Sequence, residues 1–477
     1  MKTTEKPRIG LLLIGAGRFR PLGEGTADGT YESRKNEEAG RIIRAFSPFA
    51  HVIFGSILYD KEDVENNLNL FIREKADCVC AVFLSWAEDF TWIRFLRDMP
   101  AIPLFFASIV RDELHITDTN DENQFVDFLS AGALVGAQVA SGSLSRFDKP
   151  MTRRFIGTLD ETAKELAAFS KAAMVRNALR RSTVSLLACY NEAMWATYCD
   201  PYNIFMKVGP ELKFLSVTEL LNEREKIDDA YVEELCQKFT TDFEVYPNVR
   251  YDLLKQSVKA SVAMENIAEK VGTDLLVLND VDSVLLNHVG LRPGFAPTTP
   301  EKADMVIVPE GDIGGGLATY ILHLLTGRAA NFIEPFYIDR KRQVVVAGHA
   351  GPNNFRECPE NMIIARDERF AKSAYPYAGA PFAWYTIPEG EKTLLHMSEK
   401  DGRMKIVACN VDAVRCPHYL ASYSHGEFTH RTQTPEQLFN RILNIGVTQH
   451  YGIAPGNCMK ELQILAELCG FDFTDVN

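Results

Sequence analysis

The sequence predicts an α/β protein: doubly wound parallel-sheet N-terminal and middle domains followed by a β-rich C-terminal domain. Three observations carry that expectation. Within the first 110 residues, apolar runs without alternation occur four times, separated by helix-length segments, the pattern of a parallel sheet covered on both faces. A long helical segment opening at Asp160 then leads into further strand-like runs spaced by helices. From about residue 304 the pattern changes to strand pairs joined by tight-turn residues, as in an antiparallel domain.

In order, runs 8–15, 51–58, 77–85 and 102–108 read as strands, with helices at 36–46, 61–75 and 87–99 and a further helical stretch from 122 to about 140. These make an N-terminal domain of residues 1–159. In the middle domain, residues 160–300, the long helix is followed by strand-like runs at 183–190 and 274–279, and the charged segment 222–234 reads as a solvated helix face. LRPGFAPTTPEKAD, with three prolines, reads as the connector into the last domain, residues 301–477. There, run 331–338 pairs naturally with 343–348, and runs 382–387, 392–397 and 403–410 are separated by Glu389-Gly390 and Asp401-Gly402.

A chain of 477 residues exceeds the size at which one core keeps growing, in keeping with several domains. The formal charge of −13 argues against nucleic acid or an anionic membrane as partner. Ten cysteines include no CxxC pair, and Cys78 and Cys80 alternate inside an apolar run, so a reduced, cytoplasmic protein is expected. The apolar run at 9–14 is short and lacks a cleavage site, and no later stretch reads as the roughly 20 apolar residues of a membrane span.

Four ionisable residues lie at the edges of apolar runs: Glu310 in MVIVPEGDIGGG, Glu334 in NFIEPFYID, His349 in QVVVAGHAG and His450 in NIGVTQHYGIAPGN. They are 24, 15 and 101 positions apart, yet strand ends converge on clefts in α/β proteins. Two oxygen and two nitrogen donors suit Mn²⁺, Mg²⁺ or Co²⁺ better than a thiolate zinc site. Four protein ligands also leave octahedral positions open for two substrate oxygens. Singly, each has a plainer reading as a helix-terminal charge, a turn residue, a loop histidine or a buried hydrogen-bonded one.

Other motifs are weaker. Gly15-Ala16-Gly17 begins like a dinucleotide fingerprint, but Arg20 stands where its third glycine belongs. Gly314-Gly315-Gly316 either lets a helix pack closely on the sheet or lets a ligand approach the backbone. His425 and His430, five apart, fit no single helical face and read as loop residues with a possible role at substrate; His288, His323, His396 and His418 have no partner pattern. There is no GxSxG elbow and no GxxxxGK[ST] loop.

EGDIGGGLATYILHLLTG, FIEPF, VVVAGHAG and QHYGIAPGNCMKELQILAELCGF together resemble the L-arabinose isomerase and L-fucose isomerase superfamily of metal-dependent sugar isomerases. The resemblance spans the chain and is strongest over about 275–351 and from 445 to the end. It implies that Glu310, Glu334, His349 and His450 bind Mn²⁺ or a similar ion, with Glu310 and Glu334 as the acid and base of an aldose–ketose isomerisation. It also implies a trimer, tetramer or hexamer with shared active sites. The N-terminal turn Gly17-Arg18-Phe19-Arg20-Pro21 departs from the arabinose isomerases. Arg18 and Arg20 are either a surface pair or the binding site for an anionic group on the sugar, such as a sulfohexose, since a guanidinium matches sulfonate or phosphate oxygens. A non-catalytic sugar-binding protein, or a hydrolase or lyase on the same ligands, are the rival expectations.

Overall fold

The computed structural model describes residues 5–113, 116–131, 133–289, 293–352, 354–357 and 359–477, with side chains left out at 133, 288 and 289. Connector residues 291 and 292 and the His288 side chain therefore lie outside the described residues. The described chain divides into two compact units, one ending at Asn177 and the other running from Ala178 to Asn477.

The first unit is a five-stranded sheet in the order β2-β1-β3-β4-β5, parallel throughout. Its strands are β1 (Arg8–Ile14), β2 (His51–Ile53), β3 (Cys78–Phe83), β4 (Leu104–Ile109) and β5 (Thr152–Gly157). Between them run α1 (Tyr31–Phe46), α2 (Lys61–Arg73), α3 (Asp89–Asp98), α4 (Glu122–Ala131) and α5 (Ala133–Leu144), and α6 (Leu159–Leu179) follows. Every residue of β3 is buried, as is all of β1 after Arg8, which is why these strands read as unbroken apolar runs. Helix α2 starts where it does because Asp60 and Asp63 form a reciprocal capping box. β5, TRRFIG, was not expected as a strand: it lies at the sheet edge and keeps its arginines partly in solvent. The expected domain boundary at 159/160 moves to 177/178, because α6 closes this unit instead of opening the next.

The stretch Glu122–Leu144 is long and apolar enough to cross a membrane by length and composition, contrary to the expectation that no such stretch exists. One side of α5 is docked on protein: Ala140 O accepts from Trp92 Nε1 at 3.0 Å, and a Cβ at Gly136 would lie 2.2 Å from Ser85 O.

The second unit begins with a parallel sheet, order β10-β9-β6-β7, built from β6 (Thr183–Leu187), β7 (Glu211–Leu215), β9 (Leu275–Leu278) and β10 (Val306–Val308). Its helices are the single turn α7 (Pro201–Asn203), α8 (Val217–Glu225), α9 (Asp229–Asp242), α10 (Tyr251–Val271), α11 (Ser283–Val289) and α12 (Ile313–Thr326). The charged segment 222–234 is thus two helix ends, α8 and α9, with a break between them. The boundary expected at 300/301 is not a structural division, since β10 and α12 continue the parallel-sheet pattern. Short β8 (Glu244–Val245) also pairs with β13 (Ile363–Arg366), whose other neighbour is β14 (Pro381–Trp384).

The remaining strands close on themselves. β11 (Asn331–Asp339), β12 (Val344–His349), β15 (Gly390–Lys400), β16 (Arg403–Val414), β17 (Ser424–Thr429) and β18 (Tyr451–Pro455) pair in the ring β15-β18-β11-β12-β17-β16, and β16 returns to β15. All six pairings are antiparallel, and β19 (Asp472–Asp475) adds parallel to β16. Helices α13 (Pro435–Ile445) and α14 (Met459–Cys469) complete the unit. The expected β15–β16 hairpin turns at Asp401 and Gly402, whose φ values of 51° and 70° match the twist a two-residue hairpin needs. Ile333, Ala347, Phe428 and Tyr451 share a core with Leu438 and Ile442 of α13. The alternate residues of β11 and β18 face α12, where a Cβ at Gly452 would meet Thr319 N at 2.7 Å.

Candidate metal centre

The centre forms where the parallel sheet meets the strand ring. Pro309 and Glu310 follow β10, and Glu310 adopts φ +66°, a conformation that is costly for a residue with a side chain. Two hydrogen bonds hold it there: Glu310 N–H donates to Asp280 Oδ1 at 2.9 Å, and Gly311 N–H donates to Leu278 O at 3.1 Å. Gly311 and Asp312 then lead into α12. Asp312 caps that helix, its Oδ1 accepting from Gly315 N–H at 3.0 Å.

Two imidazoles meet the Glu310 carboxylate. His349 is the last residue of β12 and 2% exposed; His450 immediately precedes β18 and is fully buried. His450 Nδ1 lies 2.8 Å from Asp312 Oδ2, and His349 Nδ1 lies 2.7 Å from Ala350 O. Carboxylate and carbonyl oxygens only accept, so both Nδ1 atoms carry the proton, and each neutral ring is left with its lone pair on Nε2. Those Nε2 atoms face Glu310, at 3.6 Å from Oε1 for His349 and 3.2 Å from Oε2 for His450. One donor atom from each of Glu310, His349 and His450 lies within 4.8 Å of the other two. Phe332 packs against both rings, with centroids 5.0 and 4.5 Å away, and keeps the site apolar on that side.

This arrangement suits a dication. Two nitrogen lone pairs and a carboxylate converge, and the Asp312–His450 contact is the outer support that orients a ligating imidazole. Burial works against a charged His450, but its hydrogen bonds to Asp312 and Glu310 override that and raise it to about 9. The pocket therefore attracts positive charge, which a metal ion supplies in place of the proton.

The structure brings three of the four expected ligands into this group. Glu334 lies on β11, two residues beyond Phe332 on the same strand face, with Gly348 as its cross-strand partner; it is outside the 4.8 Å group. His430 is elsewhere. It lines an apolar pocket with Ile333, Leu438 and Tyr451; Ile333 and Tyr451 alternate with Phe332 and His450, so it faces away from the centre. Its expected contact with substrate is not supported. Nor is that of His425: it is fully buried within β17, with its nitrogens 2.8 Å from Tyr423 O and 3.2 Å from Pro417 O.

Arg18 and Arg20 belong to the first unit. Arg20 is paired with Glu32 at 2.5 Å and lies over Tyr59, whereas the Arg18 guanidinium lies over Trp86 and only 4.0 Å from Glu88. The GxG turn is closed by the same glutamate, which accepts from Gly17 N–H at 2.9 Å and Arg18 N–H at 3.3 Å. An internal carboxylate thus sits where a dinucleotide phosphate would bind, in keeping with the missing third glycine. The triple glycine takes its structural role: a Cβ at Gly315 would meet Phe332 Cε2 at 2.5 Å and His450 Cβ at 3.0 Å.

Asp312, Asp280, Phe332 and His396 were missed as contributors. His396, on β15, holds its Nδ1 2.8 Å from His450 O and so supports the ligand's backbone. Only Asp312 left a signal, as a capping residue two positions after Glu310. No family model matches the chain, and comparison with curated proteins finds no match.

Proposed function

We propose that this chain is a divalent-metal-dependent aldose–ketose isomerase acting on a free monosaccharide. The observation that supports this most is the convergence of Glu310, His349 Nε2 and His450 Nε2 in one group, with Asp312 fixing the tautomer of His450. Mn²⁺, Co²⁺ or Mg²⁺ bound there would polarise the sugar carbonyl and favour negative charge on its neighbouring oxygens. The chain's own part is proton handling. Of Glu310 and Glu334, one carboxylate takes the proton from C2 and returns it at C1, while the other serves the hydroxyl proton exchanged between O1 and O2. Phe332 excludes water from one side of the site, which limits loss of the migrating proton. We further propose a homo-oligomer, in line with the sequence resemblance.

The test is a screen of pentoses, 6-deoxyhexoses, and sulfo- and phosphohexoses with Mn²⁺ present, watching for new ketose. Activity should vanish with chelator, return with metal, and be lost in Glu310→Gln while the fold persists. Sugar binding without turnover across the whole panel would favour the non-catalytic rival. Oxygen-18 entering the product from water would favour hydrolysis.

A further inference from the structure

Helix α12 has the candidate metal centre beside its N-terminal cap and a different polar cavity near its other end. That cavity, about 180 Å³, is lined by Glu269, Asp274, Lys302, Asp304 and His323 among others. Asp274 and Asp304 precede β9 and β10, so the cavity lies at the opposite ends of those strands from Glu310. His323 lies eleven positions after Asp312, about 17 Å along the helix at 1.5 Å per residue.

His323 is the informative residue. It is 4% exposed, and its Nδ1 lies 2.8 Å from Arg328 O. A carbonyl only accepts, so Nδ1 holds the proton and the lone pair is on Nε2, which has no protein hydrogen-bond partner among the described residues. Burial lowers the basicity of the ring and keeps it neutral, although Asp304 pulls the other way. Around it the charge is negative: Glu269, Asp274 and Asp304 against Lys302, which is already paired with Glu269 at 3.2 Å. Asp274 also accepts from Thr183 N–H at 2.9 Å, which fixes its orientation.

We propose that this cavity is a second divalent-cation site, with His323 Nε2 as its nitrogen donor and the Asp304 and Asp274 carboxylates as its acidic partners. Its donors surround an open space and are not gathered within 4.8 Å as Glu310, His349 and His450 are. The ion therefore keeps several waters and binds more weakly than at the first centre.

Titrating the metal-free full chain with Co²⁺, by calorimetry and visible absorption, tests this. Two affinity classes are expected. His323→Gln removes the imidazole nitrogen donor, and should weaken the second class at least tenfold while sparing the first. His349→Ala with His450→Ala should do the reverse, so the two sites stand or fall separately. Asp304→Asn provides the same readout should His323→Gln fold poorly. A single class that disappears with His349 and His450, or a second class untouched by His323→Gln and Asp304→Asn, overturns the proposal.

Discussion

Asp312→Asn isolates the support of the metal centre from its ligands. The aspartate divides two oxygens between two donors: Oδ1 takes the Gly315 N–H of the helix cap and Oδ2 the His450 Nδ1–H. Asparagine caps helices as well as aspartate does, so helix propensity is not what changes. It has one acceptor oxygen, however, and presents N–H to the other donor. Either the cap is lost, at about 1 kcal/mol, or His450 turns its proton towards Glu310 and withdraws its lone pair from the site. Loss of an outer support of this kind weakens metal binding about 10- to 100-fold, roughly 1.4–2.7 kcal/mol. Calorimetric titration with Mn²⁺, paired with thermal melts of the metal-free and loaded protein, reads both outcomes. Affinity within twofold of the parent together with an unchanged melt would show that neither bond operates, and the tautomer argument would fall with them.

Three other outcomes follow from the packing and the charges. Glu265 is 1% exposed, and burial, opposed by its bonds to Thr298, raises its pKa from 4.5 to about 7. Its contribution is thus fully present below pH 4.5 and lost as pH rises towards 7; the shift of 2.5, at 1.36 kcal/mol per pH unit, is on the order of 3 kcal/mol. Denaturant melts should show that slope in the parent and not in Glu265→Gln, and equal slopes would refute it. Gly315→Ala should lose about 1–3 kcal/mol by overpacking against Phe332 and weaken metal binding, despite alanine's better helix propensity; a rise in melting temperature would count against the close approach. Arg18→Ala tests the alternative of an anionic sugar: on that alternative KM rises far more for an acidic sugar than for a neutral one, and equal effects leave the guanidinium a surface group over Trp86.

The parts of the fold legible in the sequence were those with a local signature. β1 and β3 are buried on both sides and read as unbroken apolar runs, and Asp401-Gly402 announces its hairpin. His349 and His450 were legible because an imidazole at the edge of an apolar run needs a partner. What escaped depends on distant pairing. Thr152–Gly157 is a strand only because β4 lies beside it, and Glu244–Val245 only because β13 does. Closure of the six strands into a ring has no signal in any one segment. His430 shows the converse limit: with His425 it forms a suggestive pair of imidazoles, but strand alternation sends it to the other face.

The ligands come from architectures laid down at different points along the chain, one at the tip of a parallel strand and two from the antiparallel ring. A cation bound there would act as a rivet between two subassemblies that each have their own backbone pairing. At a concentration one hundred times its dissociation constant it adds about 2.7 kcal/mol to their union. Stripping it should loosen that seam first, so amide exchange at the Pro309–Asp312 corner and the start of β18 should quicken before either sheet opens.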